Sequence, residues 1–373
     1  MHSKDLSRRI FIKDIGLAGL SIPLLPLHCD NPGQKISNMK DNKNKLGIAL
    51  VGLGNYATGQ LAPALQETEH CYLAGIVTGT PSKAINWKEK YNIPEKNIYN
   101  YENYDSIKDN PDIDIIYVVL PNAMHAAYSI RAAKAGKHVI CEKPMAVSTQ
   151  ECDEMLAACK AAGKTLSIGY RLHFDPYHLE IKRLGQQKVL GEISKINSSF
   201  SFVAPKGIWR LDKRLSGGGP LMDLGIYCLQ AVCYTTGQVP VAVTAQSPPV
   251  TDTDKFKGVE ETLDWQMEMP GGLIAKCRTS YSENNNQFRA ETTKGWFEVQ
   301  PAFGYSGLQG RTSAGKIEYP RLSQQARQLD GMAQSIKNNQ PSIVPGEMGR
   351  RDVIIISAIY EAMKSGKRVE IKY

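Results

Sequence analysis

The chain has 373 residues, of which 42% are hydrophobic and 22% charged. This ordinary globular balance excludes a largely disordered or collagen-like chain, and the length predicts two domains at roughly 100–200 residues each. The net charge is +8, but the first 45 residues supply half of it, with eight basic and four acidic side chains. The remainder has too little basic excess to indicate a nucleic-acid partner. No apolar run reaches the roughly 18 residues of a membrane-spanning helix.

Residues 1–45 are typical of an export signal followed by a linker. The pair Arg8-Arg9 forms a twin-arginine pattern, and a thirteen-residue apolar stretch, 15–27, follows it. A basic flank and a short apolar core are the anatomy of a signal segment. The alternative is an amphipathic helix, which Pro23 and Pro26 would break. The pattern predicts export to the periplasm or cell envelope by the twin-arginine route.

Cys29 closes the apolar stretch and is a candidate lipid anchor. His28 argues against lipidation, because lipoprotein signals usually carry a small residue there, so a membrane tether stays open. Residues 30–45 are polar and predict a linker or an arm. The other seven cysteines form no CxxC pair and lack histidines at zinc-finger spacing, so no metal site is predicted. Disulfides are compatible with export, but twin-arginine substrates fold in the cytoplasm, which favours buried free thiols.

Residues 46–168 predict a dinucleotide-binding domain. An apolar run, 46–51, indicates a buried strand and leads directly into the fingerprint Gly52-Leu53-Gly54-Asn55-Tyr56-Ala57. In this pattern the first glycine permits a tight turn, the second lets backbone approach a pyrophosphate, and the alanine lets helix pack on strand. Further strands are predicted over 72–77, 113–120, 138–141 and 165–168, alternating with helices through 126–133 and 149–162. This alternation predicts a doubly wound parallel sheet.

The end of the second strand predicts the cofactor. An Asp or Glu there would hold the ribose 2′-hydroxyl of NAD, whereas this chain reads Thr78-Gly79-Thr80-Pro81-Ser82-Lys83. Nothing there repels a 2′-phosphate, and hydroxyl groups with Lys83 can bind one, so NADP is preferred over NAD. The alternative is that Ser82 caps the next helix and Lys83 is solvated; the two roles can coexist.

Glu142-Lys143-Pro144 follows the predicted strand 138–141. Such a tripeptide is usually a surface turn, but the carboxyl end of a parallel strand is where α/β sheets bind ligands. Pro144 fixes the backbone, and a cis bond there would aim Lys143 into the crevice.

Residues 169–373 predict a second, α+β domain. β-rich runs separated by turn signals lie at 193–203, 239–246, 261–269, 273–281 and 296–299. Because this is not a further βαβ series, we expect an antiparallel sheet; the family resemblance described below implies that the sheet is large and mostly antiparallel. A helix over 351–363 and a short strand over 369–371 close the chain.

The segment after Gly217-Gly218-Gly219-Pro220 holds a candidate catalytic pair. If it is helical, Asp223 and Tyr227 are four residues apart and share one face. A carboxylate and a phenol so placed can share protons with a substrate hydroxyl. The alternative is a helix cap and a packed aromatic. For an arbitrary pair this alternative would prevail; the glycine run, which lets a ligand or backbone come close, favours catalysis together with the resemblance described next.

After residue 45 the chain resembles the glucose–fructose oxidoreductase / inositol dehydrogenase (Gfo/Idh/MocA) family. The motifs that carry the resemblance are Gly52-Leu53-Gly54, Pro121-Asn122-Ala123-Met124-His125, Glu142-Lys143-Pro144, residues 169–176, and residues 209–211 and 217–227. Many relatives place a histidine four residues after the aspartate. Tyr227 stands there, as in the glucose–fructose oxidoreductase subgroup, whose members are exported with their cofactor bound.

The resemblance implies an NAD(P)-dependent enzyme acting on carbohydrates, with an open sheet that often builds dimers or tetramers. It implies cofactor contacts from Pro121, Asn122, Glu142 and Lys143, with His125 near the nicotinamide. Substrate-binding residues would be Tyr170, Arg171, His173, Trp209, Arg210, Asp223 and Tyr227. We expect Tyr227 to act as acid and base, and Lys143 to stabilise its phenolate or the developing alkoxide. The roles of Tyr227 and Lys143 are interchangeable at this point, and Asp223 would orient the pair and accept bonds from sugar hydroxyls.

Three other functions stay open. The first is an aldose dehydrogenase that releases its cofactor in each cycle, and the second is an NAD-dependent glycosidase of the same broad fold. The third is a non-catalytic sensor of sugars or nucleotides, against which the intact set Lys143, Asp223 and Tyr227 argues.

Overall fold

The structure is a computed structural model that describes residues 42–373. The twin-arginine pattern, Cys29 and all but the end of the predicted linker lie outside the described residues. Within them the chain forms two sheets, one parallel and one mixed, with helices packed on both.

The first sheet has six parallel strands in the order β3-β2-β1-β4-β5-β6. Its strands are β1 Leu46–Val51, β2 Cys71–Val77, β3 Ile98–Tyr99, β4 Ile115–Val118, β5 His138–Cys141 and β6 Leu166–Ile168. Its helices are α1 Ala62–Ala64, α2 Pro81–Tyr91, α3 His125–Lys134 and α4 Thr149–Ala161. A π-helical turn, Ala57–Leu61, precedes α1. The predicted doubly wound sheet is confirmed, and the strand order reverses between β1 and β4, where such sheets bind ligands.

The second sheet has nine strands in the order β14-β13-β12-β11-β7-β10-β9-β8-β15. They are β7 Ile193–Ser201, β8 Ala242–Gln246, β9 Thr262–Glu268, β10 Ile274–Ser280, β11 Asn285–Thr292, β12 Gly295–Val299, β13 Gly310–Thr312, β14 Gly315–Ile317 and β15 Val369–Glu370. Only the central pair β7 and β10 is parallel. The predicted α+β class with a mostly antiparallel sheet is confirmed.

Five helices accompany the second sheet. They are α5 Pro176–Gln186, α6 Lys213–Ser216, α7 Ile226–Thr236, α8 Gln324–Lys337 and α9 Gly346–Ser365. Helix α7 packs on β7 and α5, whereas α9 contacts α4 and β6 as well as β8. One hydrophobic core therefore runs from the parallel sheet into the second sheet, which fixes the carboxyl ends of β1, β4 and β5 against α7 and its preceding turn.

No helix within residues 42–373 combines the length and apolarity needed to cross a bilayer. The seven cysteines of this part of the chain are buried free thiols, as the sequence predicts. Burial raises the pKa of Cys228 to about 12, so this thiol is inert at neutral pH. The same residues contain no group of three His, Cys, Asp or Glu side chains placed to hold a metal ion.

Candidate active site

The fingerprint turn is open where a dinucleotide would approach. Gly52 has φ +94°, and a Cβ there would lie 2.5 Å from the carbonyl oxygen of Val119. Gly54 and Asn55 are exposed, and a Cβ at Gly54 would meet no atom within 4 Å. Leu53 and Ala57 are buried in the core. Exposed backbone ahead of a helical turn suits a pyrophosphate, so the residues present fit a nicotinamide dinucleotide.

The end of β2 carries no carboxylate. Thr78 is buried and its hydroxyl accepts a hydrogen bond from the Thr80 N–H at 3.2 Å, while Gly79 is half-buried beside it. Helix α2 begins at Pro81 and has no acidic residue in its first turn. Ser82 is therefore inside that turn rather than at its cap, where Thr80 stands, so the alternative of a Ser82 cap is wrong.

Lys83 joins the two nucleotide-facing segments. Its ammonium group donates to the carbonyl oxygen of Leu53 at 3.1 Å. A lysine that bridges the end of β2 and the fingerprint turn places positive charge near both, where a 2′-phosphate and a pyrophosphate would lie.

Lys143 and Asp223 form an ion pair at the carboxyl end of β5. The Lys143 ammonium donates to the main-chain oxygen of Asp223 at 2.6 Å and to its Oδ1 at 3.3 Å. The side chains are only 11% and 14% exposed, and the Lys143–Pro144 peptide bond is cis. The same ammonium lies 4.6 Å from the ring centre of Tyr227. One cation thus contacts both members of the pair predicted from sequence.

Asp223 is enclosed by donors. Its Oδ2 accepts from Arg210 Nε at 2.7 Å and from the hydroxyl of Tyr281 at 3.1 Å. Burial by itself would raise the pKa of Asp223, but the charges of Arg210 and Lys143 hold it down at about 2. Asp223 therefore stays ionised at neutral pH and organises the cations around it, so it is not the group that exchanges a proton.

Tyr227 stands at the start of α7, after a π-helical turn, Leu221–Gly225. Its half-buried ring meets Phe200 edge-on at 5.4 Å and Phe303 at 6.0 Å. The guanidinium carbon of Arg171 lies 5.1 Å from the ring centre. Lys143 and Arg171 thus place two cations beside the ring of Tyr227, the residue predicted to accept and return a proton.

Glu142 lies beneath Lys143. Its carboxylate accepts from the Tyr117 hydroxyl at 2.5 Å and from the Lys143 N–H at 3.3 Å. The amide of Gln328 donates to the same Tyr117 hydroxyl at 3.0 Å. Burial raises the pKa of Glu142, against the lowering effects of Tyr117 and Lys143.

Several predicted ligand contacts are instead bonded to the protein. His125 is fully buried, with its two ring nitrogens 2.7 Å from Pro144 O and 2.8 Å from Leu120 O. Asn122, buried beside Pro121, donates to Ser216 O at 2.7 Å. His125 thus holds the loop that carries Lys143, and Asn122 holds the residue just before Gly217. Both side chains have a positioning role.

Arg171 and Tyr170 are also enclosed. Arg171 is 2% exposed and donates to Phe303 O at 2.6 Å and Gly304 O at 3.0 Å. The Tyr170 hydroxyl donates to the buried carboxylate of Asp352. Arg171 therefore supports the Tyr227 ring and the Phe303 loop from behind rather than facing solvent.

His173 lines a small cavity beside the ion pair. The cavity is bounded by Lys143, Tyr170, Leu172, His173, Ile226, Tyr227, Gln230 and Tyr234. His173 Nε2 lies 2.7 Å from Gln230 Oε1, and burial lowers the pKa of His173 to about 4, so it is neutral at pH 7. On the other side of Asp223, the Arg210 guanidinium lies over the half-buried ring of Trp209 at 4.7 Å.

Three residues of the site carry no sequence signal. Tyr281 follows β10 and bonds Asp223, and Tyr305 belongs to the loop after β12. Glu260 accepts from the N–H groups of Gly219 and Leu221 at 2.9 and 3.1 Å and so fixes the turn before Asp223. None belongs to a recognisable motif, and only the folded sheet brings them to the helix.

Comparisons with known proteins identify the family of this chain. Residues 46–170 match the GFO/IDH/MocA oxidoreductase family, described as an NAD-binding Rossmann fold, and residues 178–298 match the GFO/IDH/MocA C-terminal domain. The fold is similar to that of aldose-aldose oxidoreductase from Caulobacter crescentus, with a TM-score of 0.85 and 42% identity over 88% of this chain and 100% of that one.

Other relatives are more distant. D-xylose 1-dehydrogenase [NADP(+)] of Haloarcula marismortui is 27% identical over 340 residues, 88% of this chain and 94% of that protein. Levoglucosan dehydrogenase, at 20% identity and a TM-score of 0.75 over 88% of this chain and 100% of that one, shares the fold. The fingerprint, the lysine after β5 and the two matched domains together establish that this chain belongs to the GFO/IDH/MocA family of NAD(P)-dependent oxidoreductases.

Proposed function

We propose that this protein transfers hydride between NADP and a sugar or sugar-like polyol, and that its cofactor stays bound while one sugar reduces it and a second reoxidises it. The observation that carries the chemistry is the Lys143 ammonium group, which bonds Asp223 and lies 4.6 Å from the Tyr227 ring. A bound nicotinamide would supply the site that accepts or gives the hydride.

The proton is handled by this chain. In the proposed reaction Tyr227 begins as its phenolate. As a C–H bond of the sugar breaks and its electron pair leaves as hydride, the hydroxyl proton on the same carbon passes to the phenolate oxygen, which becomes the phenol, and a carbonyl forms. In the reverse half-reaction Tyr227 returns that proton to the carbonyl oxygen of the second sugar. The Lys143 ammonium stabilises negative charge on either oxygen, and Asp223, ionised between two cations, holds Lys143 in place.

The preference for NADP rests on the end of β2. Thr78, exposed Ser82 and Lys83 supply donors there, and no carboxylate is present in the first turn of α2. The similar D-xylose 1-dehydrogenase carries NADP(+) in its name, which supports the same choice. NAD is the alternative cofactor.

Retention of the cofactor is supported by the 42% identity to an aldose-aldose oxidoreductase, a name that describes two sugars. Two alternatives are a dehydrogenase with a freely exchanging cofactor and an NAD-dependent glycosidase.

The test is the protein as isolated. Mass spectrometry and absorbance identify any bound nucleotide, and a panel of aldoses and ketoses is then supplied singly and in pairs without added cofactor. Turnover of paired sugars alone supports the proposal. Turnover that requires added NADP indicates the exchanging dehydrogenase, and release of an aglycone from a chromogenic glycoside indicates the glycosidase.

We also propose export by the twin-arginine route, on the strength of Arg8-Arg9 and the apolar stretch after it. Changing both arginines to lysine should abolish appearance of the protein in the cell envelope. Cys29→Ser then tests the lipid anchor. If the wild type is anchored through Cys29, the substitution moves the protein from the membrane fraction to the soluble fraction; if it is not anchored, the distribution is unchanged.

A dimer or tetramer is proposed through the face of the nine-stranded sheet on which the Arg289 guanidinium covers half-buried Trp296 at 4.1 Å. Light scattering of the purified protein gives the subunit number. The segment 30–45 would be an arm over a neighbouring subunit or the cofactor, and its deletion should weaken assembly or cofactor retention.

A further inference from the structure

The loop between β12 and β13 is firmly held although it lies at the surface. Asn286 Oδ1 accepts from the N–H groups of Ala302 and Phe303 at 2.9 and 2.7 Å. From the other side Arg171 donates to Phe303 O and Gly304 O. The backbone of this loop is therefore fixed up to the residue before Tyr305.

Tyr305 projects from that loop towards the nucleotide-binding domain. Its ring centre is 4.6 Å from the Arg171 guanidinium carbon and 5.7 Å from the ring centre of Tyr56, with 31° between the planes. Tyr56 belongs to the fingerprint turn, so this aromatic pair joins the two domains across the cleft. Tyr305 is still 46% exposed, which places the pair at the mouth.

Arg171 links this aromatic pair to Tyr227, because its guanidinium carbon lies 4.6 Å from the ring centre of Tyr305 and 5.1 Å from that of Tyr227. The pKa of Tyr305 is raised by burial and further by the neighbouring Tyr227, while Arg171 opposes the shift. The pKa of Tyr56 is raised by burial and then by Glu142. Both phenols are thus protonated at neutral pH and lie within electrostatic range of the groups around Lys143.

We propose that Tyr305 and Tyr56 form an aromatic clasp across the nicotinamide half of the bound dinucleotide, and that this clasp sets the rate at which the cofactor leaves. The inference rests on the proposed function, because it assumes that a nicotinamide dinucleotide runs from Gly54 towards Lys143. A dinucleotide on that path passes Tyr56 and can leave only after the contact between Tyr56 and Tyr305 opens. Since Arg171 and Asn286 hold the loop, the contact reforms without reordering of the backbone.

The experiment measures dissociation of NADPH from the whole protein. Protein loaded with NADPH is mixed rapidly with excess NADP, and the loss of bound-nicotinamide fluorescence gives the dissociation rate. An aromatic pair of this kind predicts a roughly three- to tenfold faster rate for Tyr305→Ala. Tyr305→Phe keeps the ring and should stay within about twofold of the wild type.

Tyr319→Ala is the matched control. Tyr319 is also partly exposed and pairs edge-on with Tyr177 at 5.5 Å, but it follows β14 and its partner belongs to α5 rather than to the fingerprint turn, so NADPH release should not change. Tyr305→Leu provides a second apolar truncation should the alanine variant fold poorly.

The outcomes separate the clasp from the proposed function. Unchanged NADPH release from both Tyr305→Ala and Tyr305→Leu overturns the clasp, as does a change in sugar KM alone, which would make Tyr305 a substrate-pocket residue. A wild-type protein that binds neither NADP nor NAD overturns the proposed function itself, before any variant is compared.

Discussion

Two glycine-rich turns in this molecule precede π-helical turns, and they differ in what meets the missing side chains. At Gly54 a Cβ would meet nothing within 4 Å, whereas at Gly219 it would lie 2.6 Å from the main-chain oxygen of Glu260. At Gly217 it would lie 2.5 Å from Val147. The first turn is open for a ligand and the second is filled by the protein. A glycine run ahead of a helix therefore indicates close approach, but only packing shows what approaches.

The second turn has a different use. Glu260 binds its N–H groups, and Tyr360 donates to the same carboxylate at 2.9 Å. This packing sets the start of the π-helical turn and hence the position of Asp223 against Lys143. In the proposed function, nucleotide binding thus depends on exposed backbone at one turn, and catalysis depends on side chains held by buried backbone at the other.

Lys143→Met should give the largest effect. Removing the ammonium group from between Asp223 and Tyr227 should lower kcat by roughly 10²–10⁴-fold, the range for a group that assists proton transfer or stabilises an oxyanion. Nucleotide affinity, which depends on the other turn, should stay within a few-fold. Steady-state kinetics and a nucleotide titration measure the two quantities. Full activity would remove Lys143 from the chemistry.

Substitutions at Gly54 and Gly219 test whether the first glycine turn binds a ligand and the second is packed against the protein. Gly54→Val should weaken NADP binding by roughly 10–100-fold, because lost phosphate hydrogen bonds cost about 1.5–3 kcal/mol each, while Tm is unchanged. Gly219→Ala should instead lower the free energy of unfolding by about 1–3 kcal/mol through overpacking. The folded variant should keep the NADP affinity of the wild type.

Calorimetry on both glycine variants decides between these outcomes. If Gly219→Ala abolished nucleotide binding while leaving Tm unchanged, the second turn would be a ligand site and the contrast drawn above would be wrong.

Asp223→Asn should reduce stability in a pH-dependent way. Because the folded pKa of Asp223 is about 2, below its ordinary value of 3.8, its ionised form stabilises the fold above about pH 4. This stabilisation is about 2 kcal/mol and is lost as the pH falls through about 2. Urea unfolding of wild type and variant should differ most near pH 7 and converge towards pH 2. A constant difference across that range would contradict the ion-pair role.

Glu260→Gln should give the smallest effect. The amide keeps one acceptor oxygen but loses the second, so the turn before Asp223 loosens without losing its core. We expect kcat to fall a few-fold, in line with one hydrogen bond of about 1 kcal/mol, with NADP affinity unchanged. Arg350→Gln, at an exposed ion pair with Asp153, is the control and should alter neither quantity.

Regular alternation made the first sheet predictable, since β1, β2, β4, β5 and β6 each carry an apolar run before or after a helical pattern. Strand β3 has two residues, Ile98–Tyr99, too few to show a period. The sequence pattern did not predict strand β11, Asn285–Thr292. Its residues are mostly polar, and only Phe288 and Ala290 are buried in the core.

The site was predictable as far as its motifs reached. Lys143, Asp223 and Tyr227 were predicted from sequence and lie together in the structure, although Asp223 belongs to a π-helical turn and only Tyr227 to the α-helix that follows it. Tyr281, Glu260 and Tyr305 come from loops of the second sheet, and nothing near them in sequence marks them. The sequence also could not predict which polar side chains are buried. A histidine can face a ligand or, like His125, lie with both ring nitrogens within hydrogen-bond distance of main-chain oxygens.

The most direct test of the central claim is a single turnover with bound cofactor. Wild type and Tyr227→Phe, each loaded with NADP, are mixed with the most active aldose of the panel, and formation of reduced nicotinamide is followed by absorbance. We expect the two proteins to contain equal amounts of bound nucleotide, and the bound NADP to be reduced at least 100-fold more slowly in the variant. Equal rates in the two proteins would contradict it, because the phenol would then take no part in moving the proton.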